Sequence, residues 1–328
     1  MRMWRVHQFG EPAEVLEFET DAEDFEPGPG QVKVQVEAAG LGLPDVFMCR
    51  DNYPLTPPLP FTPSQEAAGP VVLVGEGVDA SLVGTRVLGP TLFQAQRGGL
   101  ADACLMHAQG IFPIPDAMSG VEAAGFFIPY QTAWIGLVRR AAIAADDTVL
   151  VLGASGSSGC AATQLARAKG ARVIAVAGGP EKGAFCRSIG ADAVIDHRAE
   201  DITEAALAHT DGKGVSVEFD PVGGRAGRAA FEALAFEGRF VVIGYASGEW
   251  PKIHVVETLM KNISLLGAMP VGYSPEFMQE AHRDLIGHWQ QGQLNVSGSQ
   301  VFSLEEGGKA IEHIAAGRVE GKVVVQVT

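Results

Sequence analysis

The rhythm of apolar positions changes once along the chain. Up to about residue 120 the apolar residues come in short runs between Gly and Pro punctuation. Gln31-Val32-Lys33-Val34-Gln35-Val36-Glu37 alternates with a period of two, the pattern of a strand with one buried face, and Val71-Val72-Leu73-Val74-Gly75-Glu76-Gly77 ends in a turn. Pro54, Pro57, Pro58, Pro60 and Pro63 crowd together, which excludes regular helix or central strand there and predicts a loop. Beyond residue 120 apolar strand runs alternate with alanine-rich helical segments, the texture of βαβ units on a parallel sheet. Thr148-Val149-Leu150-Val151-Leu152 and Arg172-Val173-Ile174-Ala175-Val176-Ala177 are continuous apolar runs, as parallel strands covered on both faces should be. Ala193-Val194-Ile195, Val215-Ser216-Val217-Glu218-Phe219, Arg239-Phe240-Val241-Val242-Ile243 and Ile263-Ser264-Leu265-Leu266 supply four more, enough for a doubly wound α/β sheet. A helix over 278–290 and a last strand over 322–327 that returns to the first domain complete the prediction.

Length then separates two domains. A chain of 328 residues exceeds what one core usually organises, so two domains with a cleft between them are expected: 1–122 with 271–328, and 123–270. Hydrophobic residues make up 47% and charged residues 19%, which supports a sizeable core and excludes a disordered chain. The formal charge of −15 excludes nucleic acid and anionic membrane surfaces as partners, although local backbone N–H groups and a few cations can still hold a phosphorylated cofactor. The N-terminus lacks the apolar run of a signal peptide and no stretch has the length of a membrane span, so a cytoplasmic protein is expected. Cys49, Cys104, Cys160 and Cys186 are scattered without a C-x-x-C pair, in keeping with a reducing compartment.

The chemistry concentrates in Val149-Leu150-Val151-Leu152-Gly153-Ala154-Ser155-Gly156-Ser157-Ser158-Gly159, which joins a buried strand to a helix beginning near Cys160. That context makes a glycine triplet a dinucleotide fingerprint instead of an ordinary turn. Gly156 lets the backbone approach a pyrophosphate, Gly159 allows close helix–strand packing, and the helix N-terminus presents N–H groups to the phosphates, with Ser157 and Ser158 in the loop among the expected cofactor contacts. Ala154 stands where the first glycine is usual. An acid about twenty positions on would bind the free ribose 2′-OH of NAD; Ala177-Gly178-Gly179 has none. Gly178 leaves room for a 2′-phosphate and Lys182 follows it, which favours NADPH, while a solvated helix-start lysine is the other reading of Lys182. Ser155 is followed at once by Gly156, so it forms no nucleophile elbow and a serine hydrolase is excluded.

These motifs, with Gly190-Ala191-Asp192-Ala193-Val194-Ile195-Asp196-His197-Arg198, Phe219-Asp220-Pro221-Val222-Gly223-Gly224, Val241-Val242-Ile243-Gly244-Tyr245-Ala246-Ser247-Gly248, Leu43-Pro44-Asp45 and Glu66-Ala67-Ala68-Gly69, span nearly the whole chain. The chain resembles the zinc-free quinone oxidoreductases related to ζ-crystallin, a branch of the medium-chain dehydrogenase/reductase family. The resemblance implies a Rossmann domain plus a GroES-like β-barrel catalytic domain. It also implies contacts to NADPH from Thr132, Gly178, Lys182, His197, Ile243, Gly244, Tyr245, Met269 and Arg318, with Gly178, Lys182, His197 and Arg318 around the 2′-phosphate.

Relatives with a catalytic zinc need Cys and His ligands at places that here read Leu41-Gly42-Leu43-Pro44-Asp45 and Ser64-Gln65-Glu66, so no metal is expected. Two departures touch catalysis, since the branch often carries an asparagine at Gly42 and an aromatic hydroxyl at Phe47. Tyr53 and Thr132 match residues near the nicotinamide; Tyr53 either donates a hydrogen bond to a developing oxyanion or only packs. The implied activity is hydride transfer to a quinone or similar electron-poor acceptor. Reduction of an alkene conjugated to a carbonyl or thioester, and NADPH binding with an interaction or structural role, stand as alternatives. A homodimer through the apolar strand at 262–267 is also expected, because an unpaired edge of that kind invites pairing.

Overall fold

A computed structural model describes all 328 residues. The chain divides into two compact units: Met1–Ile128 with Gly298–Thr328, and Pro129–Ser297.

The first unit is organised by an eight-stranded, mainly antiparallel sheet. Glu66–Val74 is its longest strand and pairs with Gln31–Gln35, Ala38–Leu41 and Arg86–Pro90. The alternation seen in the sequence places Val32, Val34 and Val36 in the core, beside Val71, Val87, Leu100 and Met106. The C-terminal strand Val323–Gln326 runs antiparallel to Ala38–Leu41, so the chain's end does return to this sheet. The proline-rich stretch is loop, tied down by mutual backbone hydrogen bonds between Val6 and Phe61 (2.9 and 3.1 Å).

The second unit holds the six predicted strands: Thr148–Val151, Arg172–Ala177, Ala193–Asp196, Val215–Asp220, Leu234–Val242 and Ser264–Gly267. All are parallel, and numbered in that sequence their order across the sheet is 3-2-1-4-5-6, the doubly wound arrangement. The order reverses between the first and fourth strands. Ligands bind beyond the carboxyl ends of the strands at such a reversal.

Three expectations need correcting. The chain stays in the second unit until Ser297, well past the expected boundary at 270, because helix Pro275–Gln290 is anchored there: Asp284 accepts from Trp134 Nε1 (2.8 Å) and from Lys169 Nζ (2.9 Å). Asn295 continues the attachment, its carbonyl accepting from Tyr130 Oη (2.6 Å) and Gln164 Nε2 (3.0 Å). At the other end the boundary falls inside helix Gly120–Ala133 at Pro129, six residues later than expected. The helix after the glycine loop starts at Ser157 and not near Cys160, with Gly156 in the extended cap position.

Candidate cofactor and active site

The loop after the first strand is built by its glycines. Gly153 has φ of +57°, a left-handed conformation that disfavours any side chain, so this residue makes the tight turn and Ala154 can stand after it. A Cβ on Gly159 would lie 2.2 Å from the Gly153 carbonyl oxygen and 2.6 Å from Ala154 Cα, so only glycine lets the helix pack this close. Helix Ser157–Ala168 therefore begins directly over the strand end. Its first N–H groups, Ser157 and Ser158 among them, have no partner within the helix, as at any helix start, where an anion can be held.

Beside this loop lies a cavity of about 200 Å³ lined by Leu152, Gly153, Val176, Gly178, Lys182 and His197, with Arg198, Val222 and Ala226. The structure thus brings together three residues placed apart in sequence, Gly178, Lys182 and His197. Gly178 is flanked so closely that a Cβ there would sit 2.8 Å from His197 Nε2. The Asp196 carboxylate beside the turn is put to structural use: its Oδ1 accepts from the N–H of Gly179 (2.9 Å) and of Arg198 (3.0 Å), while Glu181 lies in the first turn of the helix that follows. These two backbone donors hold the Asp196 carboxyl below the usual carboxylate range.

A second cavity, of about 500 Å³, lies at the carboxyl ends of the fifth and sixth strands and is lined by Arg140, Ile243, Trp250, Ala268, Met269 and Tyr273. Ile243 and Met269 meet here; Gly244 and Tyr245 follow directly, and Tyr245 packs on Trp250 with ring centroids 4.5 Å apart. Both cavities are steadied by Asp220, which sequence reasoning passed over. Its Oδ1 accepts from Val222 N–H (2.7 Å) and Gly223 N–H (2.6 Å), and its carbonyl accepts from Ile243 (2.9 Å) and Gly244 (3.1 Å). Burial lifts the Asp220 carboxyl to about 6 against these bonds, and lifts Glu218, two residues earlier on the strand, well above its ordinary value. Both Glu218 oxygens are buried without a hydrogen-bond partner. Two acids on the same face of this strand, at 218 and 220, are the signal that could have identified this pair.

Thr132 is buried on helix Gly120–Ala133, within the second unit. Tyr53 and Arg318 belong to the first unit. Tyr53 packs against the cluster of Val6, Val15, Met48, Cys49 and Phe61, and Arg318 is exposed after Gly317, whose φ is +66°.

The donor set at 41–45 and 64–66 does not suit a zinc ion. Asp45 is buried, its two oxygens taken by the N–H of Gly42 (2.8 Å) and of Ser64 (2.7 Å), and burial raises its carboxyl to about 6. Glu66 accepts from Lys322 Nζ (2.5 Å) and from Ile128 N–H (2.6 Å). Burial pushes the Cys49 thiol up to about 12, far from the thiolate that a metal requires. Nowhere do three His, Cys, Asp or Glu side chains gather as a metal would need. No helix is long and apolar enough to cross a membrane.

Known proteins agree with this architecture. Residues 28–134 match the model of the alcohol dehydrogenase GroES-like domain, and residues 159–285 that of the zinc-binding dehydrogenases, a family name whose metal finds no ligand set here. The chain is 34% identical over 326 residues to a quinone oxidoreductase-like protein 2 homolog of Nematostella vectensis, covering 97% of this chain and 87% of that protein. It is 30% identical over 327 residues to human quinone oxidoreductase, covering 99% and 97%. The crystal structure of Escherichia coli quinone oxidoreductase complexed with NADPH superposes with a TM-score of 0.90 at 27% identity, covering 99% of this chain and 100% of that one. The chain therefore belongs to the medium-chain dehydrogenase/reductase family, among its quinone oxidoreductase-like members, and is an oxidoreductase with a GroES-like domain and a Rossmann-type domain.

Proposed function

We propose that this protein binds NADPH and directs its hydride to a quinone or similar electron-poor acceptor without zinc. The observation that carries the reading is the acid-free turn at Ala177-Gly178, flanked by Lys182 and His197 in one cavity beside the glycine loop. A free 2′-OH finds no carboxylate among the turn's own residues, and Asp196 beside it is engaged by backbone N–H groups, whereas a 2′-phosphate meets a lysine. NADPH supplies the hydride. The chain's own residues position it: Gly156, Ser157, Ser158 and Gly159 at the pyrophosphate, and Thr132, Ile243, Gly244, Tyr245 and Met269 toward the nicotinamide. Arg318 is assigned to phosphate binding, and Tyr53 to hydrogen bonding the oxygen on which charge develops. An acceptor that spreads this charge needs no Lewis acid, so positioning supplies most of the rate. Simple ketones should be poor substrates. The protein is further proposed to act as a homodimer.

Titrating nicotinamide fluorescence should show NADPH binding at least about tenfold tighter than NADH, a difference of roughly 1.4 kcal/mol that one charge-assisted contact can supply. Lys182→Ala should weaken NADPH and leave NADH nearly unchanged. Equal dissociation constants for the two cofactors in the unmodified protein would overturn the cofactor assignment. Rates of NADPH oxidation with 1,4-quinones, an alkenal and an enoyl-CoA then identify the acceptor. Faster turnover of the alkenal or enoyl-CoA would replace quinone reduction with alkene reduction, and no turnover at all would favour a binding role.

A further inference from the structure

Strand Ala193–Asp196 ends in a turn whose geometry is fixed at several points. The N–H groups of Ala199 (2.9 Å) and Glu200 (2.8 Å) donate to the Asp196 carbonyl, and the Glu200 carboxylate accepts from Asp196 N–H (2.9 Å). His197 N–H donates to the Ala177 carbonyl (3.2 Å), and Asp196 Oδ1 holds the N–H groups of Gly179 and Arg198. The turn is thus laced to the glycine pair at 178–179 from both sides.

The Arg198 side chain leaves this turn across the glycine pair. A Cβ on Gly178 would lie 2.8 Å from Arg198 Nε, and one on Gly179 would lie 3.4 Å from Arg198 Nη1. The guanidinium therefore spans two residues that have no side chain of their own, and it lines the same cavity as Lys182 and His197. It enters none of the protein's ion pairs. A planar fork of N–H donors that lies over two residues without side chains and enters no ion pair suits a tetrahedral dianion with several acceptor oxygens.

We infer that Arg198 is a specificity-determining residue for the cofactor's ribose 2′-phosphate, binding it through paired N–H donors beside the point charge of Lys182. This rests on the NADPH assignment above and adds a residue to it. The 2′-OH of NADH offers the same fork one neutral oxygen, so the difference between the two ligands is concentrated at this side chain. Arginine and lysine are not equivalent here, because an ammonium keeps the charge and loses the fork.

Two cofactor fragments that differ only in the phosphate provide the test, 2′,5′-ADP and 5′-AMP, titrated calorimetrically into the full chain. The unmodified protein should prefer 2′,5′-ADP. Arg198→Gln should weaken 2′,5′-ADP about tenfold or more and change 5′-AMP by less than about twofold, with Arg198→Lys falling between. A preference that survives Arg198→Gln, or an equal loss of both fragments, overturns the role of Arg198 while leaving the NADPH assignment standing. An unmodified protein that binds the two fragments equally overturns both.

Discussion

Single buried carboxyls show how far the second unit departs from an ideal apolar core. Glu218 sits on the fourth, interior strand of the sheet, paired in register with Leu150 and Phe240, with both oxygens unpartnered. Burial first, and then the charge of Asp220, raise its carboxyl well above the ordinary value. The sign follows: the folded protein holds a proton that the unfolded chain has released, so stability falls as pH rises from the ordinary carboxylate range toward Glu218's own. Glu218→Gln removes that proton requirement. Its stability advantage over the unmodified protein should grow by about 1.4 kcal/mol for each pH unit in this window. Thermal melts at pH 5 and pH 8 measure it, and an advantage that does not change with pH would mean that Glu218 titrates normally. Residues of this kind explain what was legible and what was not. Gly156, Gly159, Gly178 and Lys182 stand out in the sequence because their spacing after a buried strand, or their charge, is visible in residue order alone. Asp220 and Arg198 act through contacts made by folding: the first holds the cavity walls by backbone N–H groups, and the second is aimed by a turn that Asp196 closes.

At the scale of elements, the six strands of the second unit were readable from short apolar runs between helical segments, continuous in Thr148–Val151 and over most of Arg172–Ala177 as in strands covered on both faces, and interrupted by acids in Val215–Asp220 and by Glu237 and Arg239 in Leu234–Val242. Helix Pro275–Gln290 was readable as a helix, but not the unit that keeps it, since Trp134 and Lys169 lie more than a hundred residues from Asp284. The last strand, Ser264–Gly267, pairs on one side only, with Leu234–Val242. Leu265 on it is 45% exposed, and the preceding helix Val255–Lys261 exposes Val255, Val256, Leu259 and Met260 at 62–80%. An edge strand without charge next to so much apolar surface is a liability unless it is covered, and two-fold pairing of identical edges covers it while joining two sheets into one. Light scattering at micromolar concentration should therefore report about twice 34.4 kDa. Leu265→Lys should dissociate or destabilise that dimer by placing charges in a dry interface. A monomer of the unmodified protein would sink the proposal.

Across the whole molecule, the absence of metal dependence is the expectation that joins sequence, packing and activity. In the first unit the side chains that could have approached a metal are committed to holding the fold. Lys322, on the segment leading to the C-terminal strand, carries its charge into the sheet to meet Glu66, and Asp45 caps the start of helix Leu43–Cys49 through Gly42 N–H while binding Ser64. A zinc ion would have to take Glu66 from a buried lysine, leaving that cation unpaired at a cost of several kcal/mol. It would also need a thiolate from Cys49, whose thiol is held protonated by burial. The Lys322–Glu66 ion pair thus occupies the carboxylate that a metal would have to take. Dialysis against a strong chelator should leave both the melting temperature and NADPH oxidation unchanged. Measuring both separates the two ways of being wrong: a lower melting temperature restored by zinc would reveal a structural site, and an unchanged melting temperature with activity lost and restored by zinc would reveal a catalytic one. Lys322→Met supplies the complementary perturbation, since it strips Glu66 of its cation without adding a ligand. It should destabilise the protein by about 3–5 kcal/mol, as an unpaired buried carboxylate does, with no protection from added zinc.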